Sequence, residues 1–308
     1  MSNGCCSPAV STLNVASSRL ETPAFTSHTS PTLNGMVKIP AGPFPMGTNS
    51  AIAYPADSEG PKRTVEVDEF WIDEATVSNS DFSEFVDATG YQTEAEITGW
   101  SFVPEYLASE LDNEFLLGRS STTPWWIGVT GANWRSPQGP NSSFIELLDH
   151  PVVHISWNDA HAFAEWSGKR LPTEAEWEKA ARGGRDNALY AWGDELMVDG
   201  KFMCNIWQGD FPEFNSAEDG YLATAPVKSF EANGFGLYNV CGNVWEWCAD
   251  SWGEDKVIKG GSFLCHDSYC NRYRLSARTS HSPHGFTAHI GFRCVSDAET
   301  NKDLLGSL

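Results

Sequence analysis

The sequence predicts a single α+β domain rich in irregular structure, covering residues 36–296. Three observations point there. Short alternating apolar pieces between residues 36 and 72 read as strands. Segments beginning at Ser78, Ser156 and Pro172 carry helical spacing with start signals. Beyond about residue 190 the chain is rich in Gly, Asn and Trp, with few helical patterns and no linker that divides it.

Order is expected to begin at Met36-Val-Lys-Ile-Pro-Ala-Gly-Pro-Phe-Pro-Met-Gly47 and to continue in Arg63-Thr-Val-Glu-Val-Asp-Glu-Phe-Trp-Ile72, both as strands. A helix over 78–89 follows, with Phe82, Phe85 and Val86 on one face and Ser78 capping three residues before Asp81. Residues 90–150 read mostly as loop, anchored by Pro124-Trp125-Trp126 and Gly131-Ala-Asn-Trp134. A loop that long commonly carries binding function. Ser156-Trp-Asn-Asp159 opens a second helix that presents Ala160, Phe163, Ala164 and Trp166. Pro172-Thr-Glu-Ala-Glu176 opens a third, with Thr173 and Glu176 as a capping box, and Gly183-Gly184 ends it. Residues 1–35 read as a disordered leader and 297–308 as a flexible tail.

The chain has 308 residues, of which 41% are hydrophobic and 13 are Trp, enough for a sizeable core. Against 20 Lys and Arg stand 41 Asp and Glu, a net charge of −21. That excludes nucleic acid as a partner, because phosphates need clustered cations. It suits divalent cations or a cationic peptide, although most of the charge simply maintains solubility. No apolar run reaches the roughly 18–20 residues of a membrane span. The Ser/Thr-rich start, with Arg19 as its one basic residue, lacks the pattern of a secretory signal. The expected compartment is the cytoplasm, where stable disulfides are not expected. The eight cysteines (Cys5, Cys6, Cys204, Cys241, Cys248, Cys265, Cys270 and Cys294) are scattered, unlike a disulfide framework.

Three constellations could carry chemistry. Cys265 and Cys270 lie in Gly-Gly-Ser262-Phe-Leu-Cys265-His-Asp-Ser-Tyr-Cys270. Such a pair can close a disulfide, hold a soft metal or do redox chemistry. Zinc wants three or four protein ligands, more than the pair supplies, and His266 as a neighbour points elsewhere. Two thiolates suffice for Cu(I) and leave room for an outside thiolate. Asn205 and Asp219, with nearby carbonyls, offer hard oxygen ligands of the kind Ca²⁺ takes, and Asn239 to Glu246 form a second such turn. On pattern alone both also read as loops built on Asx turns. Arg272, Arg274 and Arg278 form a basic ladder expected to pair internally. No serine-hydrolase elbow, zinc-protease helix, P-loop or dinucleotide fingerprint is present.

Together these segments resemble the formylglycine-generating enzyme family, the sulfatase-modifying factors. The resemblance rests on Met36-Val-Lys-Ile-Pro, Pro151-Val-Val-His-Ile-Ser-Trp-Asn-Asp159, Gly168-Lys-Arg-Leu-Pro-Thr-Glu-Ala-Glu-Trp-Glu178, Asn205-Ile-Trp-Gln-Gly, Gly242-Asn-Val-Trp-Glu-Trp247, the cysteine segment through Asn-Arg-Tyr-Arg274, and Gly291-Phe-Arg-Cys294. It covers residues 36–296 in unbroken order.

The resemblance implies a C-type-lectin-like fold and a monomeric oxidase. Its substrate is an unfolded sulfatase polypeptide, whose Cys-x-Pro-x-Arg cysteine becomes Cα-formylglycine with O₂. By the same resemblance Cys265 and Cys270 hold Cu(I), the substrate cysteine adds as a third thiolate, and Ser262, Tyr269 and Trp245 line the oxygen and substrate pocket. Structural Ca²⁺ is implied at Asn205, Ile206, Asp219 and Tyr221, and at Asn239, Val240, Gly242, Val244 and Glu246.

Departures are visible as well. The loop 248–259 is shorter than in relatives, 279–289 differs, and Phe163, Ala181 and Leu275 stand where secreted relatives have disulfide cysteines. Cys6-Ser-Pro-Ala-Val10 is similar to a truncated substrate motif but lacks the arginine, and reads as coincidence. The competing readings are a non-catalytic binding protein on the same scaffold and an oxidase acting on another thiol.

Overall fold

The computed structural model describes Pro8 and residues 32–297. The expected leader is thus described only at Pro8 and 32–35; Cys5, Cys6, the rest of the Cys6–Val10 segment and 298–308 lie outside the described residues. The first and last strands share one sheet. β1 (Met36–Ile39) and β16 (Val295–Asp297) both pair antiparallel with β4 (Phe70–Asp73), one on each side. Asp297, expected in the tail, is therefore part of the sheet and sits opposite Phe70. β2 (Gly42–Met46) and β3 (Arg63–Val67) form an adjoining hairpin.

Each of the three expected helices forms where its cap predicts. α1 (Asn79–Thr89), α3 (Trp157–Trp166) and α4 (Glu174–Arg182) start on Ser78, Ser156 and Thr173. In each, the cap hydroxyl accepts the N3 amide while the N3 carboxylate accepts the cap amide. The reciprocal bonds satisfy amides that a helix start leaves without partners. Inward faces of α1 and α3 meet in an aromatic core, where Phe82 stacks on Phe163 at 5.9 Å and meets Trp134 edge-on at 5.2 Å.

Residues 90–150 are loop and turn over most of their length, as expected, but the segment is not without regular structure. They hold α2 (Glu94–Thr98) and a three-stranded sheet in the order β5–β7–β6, from β5 (Trp100–Pro104), β6 (Leu116–Arg119) and β7 (Trp126–Thr130). Every residue of β5 is buried, so the strand shows no alternation of apolar and polar positions. The box Thr93/Glu96 that opens α2 is a local signal the sequence reading passed over.

Two short ladders follow: β8 (Met197–Val198) with β9 (Lys201–Phe202), and β10 (Gly209–Asp210) with β11 (Phe214–Asn215). The last sheet runs in the order β14–β13–β12–β15, from β12 (Trp245–Trp252), β13 (Asp255–Lys259), β14 (Arg278–His281) and β15 (Ile290–Gly291). Only the β12–β15 pair is parallel in it.

Beneath this sheet Glu246 is fully buried, accepting from Arg293 Nε at 2.7 Å, Arg293 Nη2 at 2.8 Å and Trp177 Nε1 at 2.7 Å. A smaller cluster of Trp100, Phe102, Trp126, Trp207, Phe263 and Leu264 joins β5 and β7 to the segment after β13, which carries the cysteine pair.

Candidate functional site

The polypeptide leaves β13 through Gly260 and Gly261, both at positive φ. At Gly261 a Cβ would stand 2.9 Å from the backbone of Tyr273, so only glycine lets the two segments meet. The turn beyond is closed by main-chain bonds, Cys265 N to Ser262 O at 2.9 Å and Cys270 N to His266 O at 2.7 Å. These bonds bring Cys265 Sγ and Cys270 Sγ to 3.3 Å. A disulfide needs about 2.05 Å, so the two sulfurs are not joined to each other. Both are buried. The Ser262 amide donates to Cys265 Sγ at 3.4 Å.

The arginine ladder braces this turn from outside, each member on an acidic partner as expected. Arg272 Nε donates to Asp57 at 2.6 Å while its Nη1 lies 3.7 Å from Cys270 Sγ. Arg274 forms a two-pronged, fully buried pair with Glu59, at 2.6 and 2.7 Å. Arg278 pairs with Glu174 at 2.9 Å. Tyr54 lies under the Arg272 guanidinium, 4.3 Å from ring centre to Cζ, and its hydroxyl accepts the Asn271 amide. Residues 54–59, from the loop between β2 and β3, therefore hold the cysteine segment across the molecule.

Ser262, Tyr269, both cysteines and His289 face one small pocket, closed by Trp125, Phe211 and Leu264. Tyr269 stacks on Phe211 at 5.2 Å and meets Trp125 edge-on at 4.8 Å. Those three closing residues also border a wider groove, flanked by Tyr106, Trp207, Glu213 and the Glu105–Arg119 ion pair. Trp245, named with the pocket by resemblance, is not among its lining residues. It is fully buried in the main core, with its indole N–H lacking an acceptor. Trp125 was read from sequence as a loop anchor without a place in the pocket, while His289 and Phe211 were not singled out. All three lie on segments remote from residues 262–270.

The remaining described cysteines are inert by environment. Burial pushes the Cys241 thiol up to about 12, and those of Cys204, Cys248 and Cys294 well above the ordinary value. Reactive thiols sit in electropositive surroundings instead, and of the four only Cys248 and Cys294 feel a lysine, against acidic neighbours.

Among the described residues no group of three or more His, Cys, Asp or Glu side chains is gathered to hold a metal. The cysteine pair alone offers two soft donors, a set that suits Cu(I) and falls short for zinc.

The first oxygen set is gathered. Asn205 Oδ1 is buried without a donor, and Asp219 accepts from the Ile206 amide at 3.0 Å and the Tyr221 amide at 2.9 Å. Gln208 Nε2 donates to both Ile206 O and Asp219 Oδ2. Burial raises the Asp219 carboxyl, against the hydrogen bonds from Gln208 and from the Tyr221 and Ile206 amides that lower it. That donor set fits a hard cation. In the second set Asn239 Oδ1 is likewise buried without a donor, but Glu246 is already neutralised by Arg293. Asn239 and the main-chain carbonyls there are neutral donors, a weaker fit for Ca²⁺.

Fold and site define a single-domain α+β protein that presents a buried pair of cysteines at the end of a surface groove. Comparison with known proteins places it. Residues 21–298 match the family described as "Sulfatase-modifying factor enzyme 1-like domain". The chain belongs to that family. It is 53% identical to the "Formylglycine-generating enzyme" of Thermomonospora curvata, covering 85% of this chain and 93% of the relative. It is 51% identical to that of Streptomyces coelicolor, covering 86% and 90%. The "Inactive C-alpha-formylglycine-generating enzyme 2" of Bos taurus is 44% identical, covering 85% and 88%. Among solved structures, PvdO from Pseudomonas aeruginosa shares the fold, with a TM-score of 0.61 at 24% identity, covering 85% and 94%.

Proposed function

We propose that this protein is a copper-dependent oxidase that converts the cysteine of a Cys-x-Pro-x-Arg segment in an unfolded sulfatase chain to Cα-formylglycine. The observation that carries the reading is the pair Cys265 and Cys270, two unjoined sulfurs 3.3 Å apart facing a pocket that borders a groove. The relatives' names support the sulfatase substrate.

Cu(I) held by the two thiolates would supply the one-electron step that O₂ requires. The chain's own residues do the rest. Trp125 and Phe211 offer an apolar wall for the substrate proline, and Glu213 offers a carboxylate for its arginine, Glu105 being already paired with Arg119 across the groove. Closure by Trp125, Phe211 and Tyr269 keeps bulk water from the sulfurs. Overall, R–CH₂–SH, O₂ and two external thiols give a thioaldehyde, the disulfide of those thiols and two waters. Hydrolysis of the thioaldehyde then gives R–CHO and H₂S.

A monomer acting in the cytoplasm is part of the same proposal, and the unbonded thiols of Cys204, Cys241, Cys248 and Cys294 support it. No helix among the described residues is long and apolar enough to cross a membrane.

The test is aldehyde formation in a Cys-x-Pro-x-Arg peptide under air, followed by mass spectrometry. Copper-loaded protein should react, and Cys265→Ser and Cys270→Ser should each lose at least about 1000-fold. Activity retained in either variant sinks the proposal. A peptide without Pro or Arg that reacts equally well would shift the substrate to another thiol. Absence of any aldehyde, despite bound copper, would favour the non-catalytic role that the name of the bovine relative raises.

We further infer structural Ca²⁺ at Asn205, Ile206, Asp219 and Tyr221, with a second, weaker site at Asn239, Val240, Gly242, Val244 and Glu246. Adding Ca²⁺ to chelator-treated protein should raise Tm by several degrees, through about 3 kcal/mol of binding energy at saturation. Asp219→Asn should remove most of that rise; an unchanged rise would locate the ion elsewhere.

A further inference from the structure

His289 is the one titratable side chain in the pocket that neither the sequence reading nor the proposed chemistry uses. Its ring is 1% exposed and fixed on every side. Nδ1 lies 2.6 Å from Thr287 Oγ1, and the ring meets the Trp126 indole at 4.7 Å. The carbonyl of His289 accepts the Trp245 amide at 2.9 Å, and the preceding Ala288 amide donates to Phe102 O at 3.1 Å. β5, β7 and β12 thus hold the imidazole in one orientation. Its Nε2 is buried and has no hydrogen-bond partner among the described residues.

Which nitrogen carries the proton follows from counting. Thr287 is 1% exposed, and the only partner of its hydroxyl among the described residues is His289 Nδ1. If Nδ1–H donated to the hydroxyl, both the hydroxyl hydrogen and the Nε2 lone pair would be stranded in a dry interior. If the hydroxyl donates to Nδ1, only one group is left over, Nε2–H. The second arrangement strands fewer groups and is the tautomer expected. A buried donor without an acceptor costs about 1–3 kcal/mol, a cost that binding of an electron-rich ligand would offset.

We propose that His289 is a catalytic residue whose Nε2–H, beside Ser262, donates a hydrogen bond to dioxygen in the cysteine pocket as the molecule takes on negative charge. The assignment rests on the oxidase reading above for the identity of the ligand. The donor itself rests on the geometry. A small anion such as azide in the same pocket would receive the same bond.

Two measurements on the full-length chain test it. In nitrogen–proton correlation spectra at pH 7, the neutral ring should carry its proton on Nε2, and Thr287→Val should relax that preference. A wild-type ring protonated on Nδ1 overturns the proposal. In the copper-loaded protein, His289→Phe keeps the ring and its packing but removes the donor. It should lower kcat/KM for O₂ by about 100-fold, leave the peptide KM and the Cu(I) affinity within about twofold, and leave Tm at or above wild type. His289→Gln returns an N–H near the Nε2 position and should recover at least about tenfold of that loss.

An unchanged kcat/KM for O₂ in the Phe variant overturns the assignment. Equal losses in the Phe and Gln variants, accompanied by a lower Tm, overturn it too by showing a packing role. If wild-type protein forms no aldehyde, the oxidase reading has failed, and an azide titration of copper-loaded protein decides on the donor. A shift of the Nε2–H resonance with azide sustains the donor, and no shift removes it.

Discussion

Cys270 is placed by a residue that never enters the pocket. Asp57 takes the Nε of Arg272 at 2.6 Å, which turns Nη1 toward the sulfur at 3.7 Å. A fixed guanidinium beside a sulfur favours negative charge there, and such supports of a ligand commonly tune metal affinity by about 10–100-fold. Arg272→Met should therefore weaken Cu(I) binding by about tenfold in competition with a chelator. Asp57→Asn, which loosens the guanidinium without removing it, should cost less. Equal affinity in wild type and the Met variant would show that Arg272 only shapes the fold. At this scale the cysteines, Ser262 and the arginine ladder were legible because they share one short stretch of chain. His289 was not, because its place beside Cys270 is set by the pairing of β12 with β15 rather than by any neighbour in sequence.

Elements divide the same way. The three capped helices were readable because a capping box is a code written within four residues. The β5–β7–β6 sheet was missed because β5 is covered on both faces and its partners lie 20 to 30 positions onward. That sheet matters to the site, since β7 begins at Trp126, next to the pocket-closing Trp125, and packs on Leu264 and Phe263 through the smaller core. The turn after β13 is the most exacting element. Gly261→Ala would adopt a φ of +74° and press a methyl onto the Tyr273 backbone. A loss of about 2–4 kcal/mol is expected, from strain and overpacking together. Urea unfolding would measure it, and a loss under about 0.5 kcal/mol would mean that the turn moves freely.

For the whole molecule, burial of ionisable groups sets the response to acid. His154 and His281 are each held down to about 4 and His289 to about 3, in every case chiefly by burial. Burial, aided by Glu94, pushes Asp159 the other way, up to about 7. Between about pH 4 and 6.5 an unfolded chain would bind protons on all three histidines that the folded chain refuses, while the folded chain keeps one on Asp159. Counted over these four groups, the net uptake on unfolding is about two protons, so their contribution is greatest near neutrality and falls by roughly 3 kcal/mol per pH unit through that window. Urea titrations at pH 7 and 5.5 would show the drop; equal stabilities would mean that these groups are more solvated than their burial suggests.

The strand that completes the first sheet is also the last one made. β16 follows Arg293, the counterion of the buried Glu246, and both reach the ribosome exit after every other element of the domain. Until they emerge, a growing chain would hold a lone carboxylate under β12 and an open edge on β4. Synthesis itself thus keeps the domain from closing until its last strand has emerged.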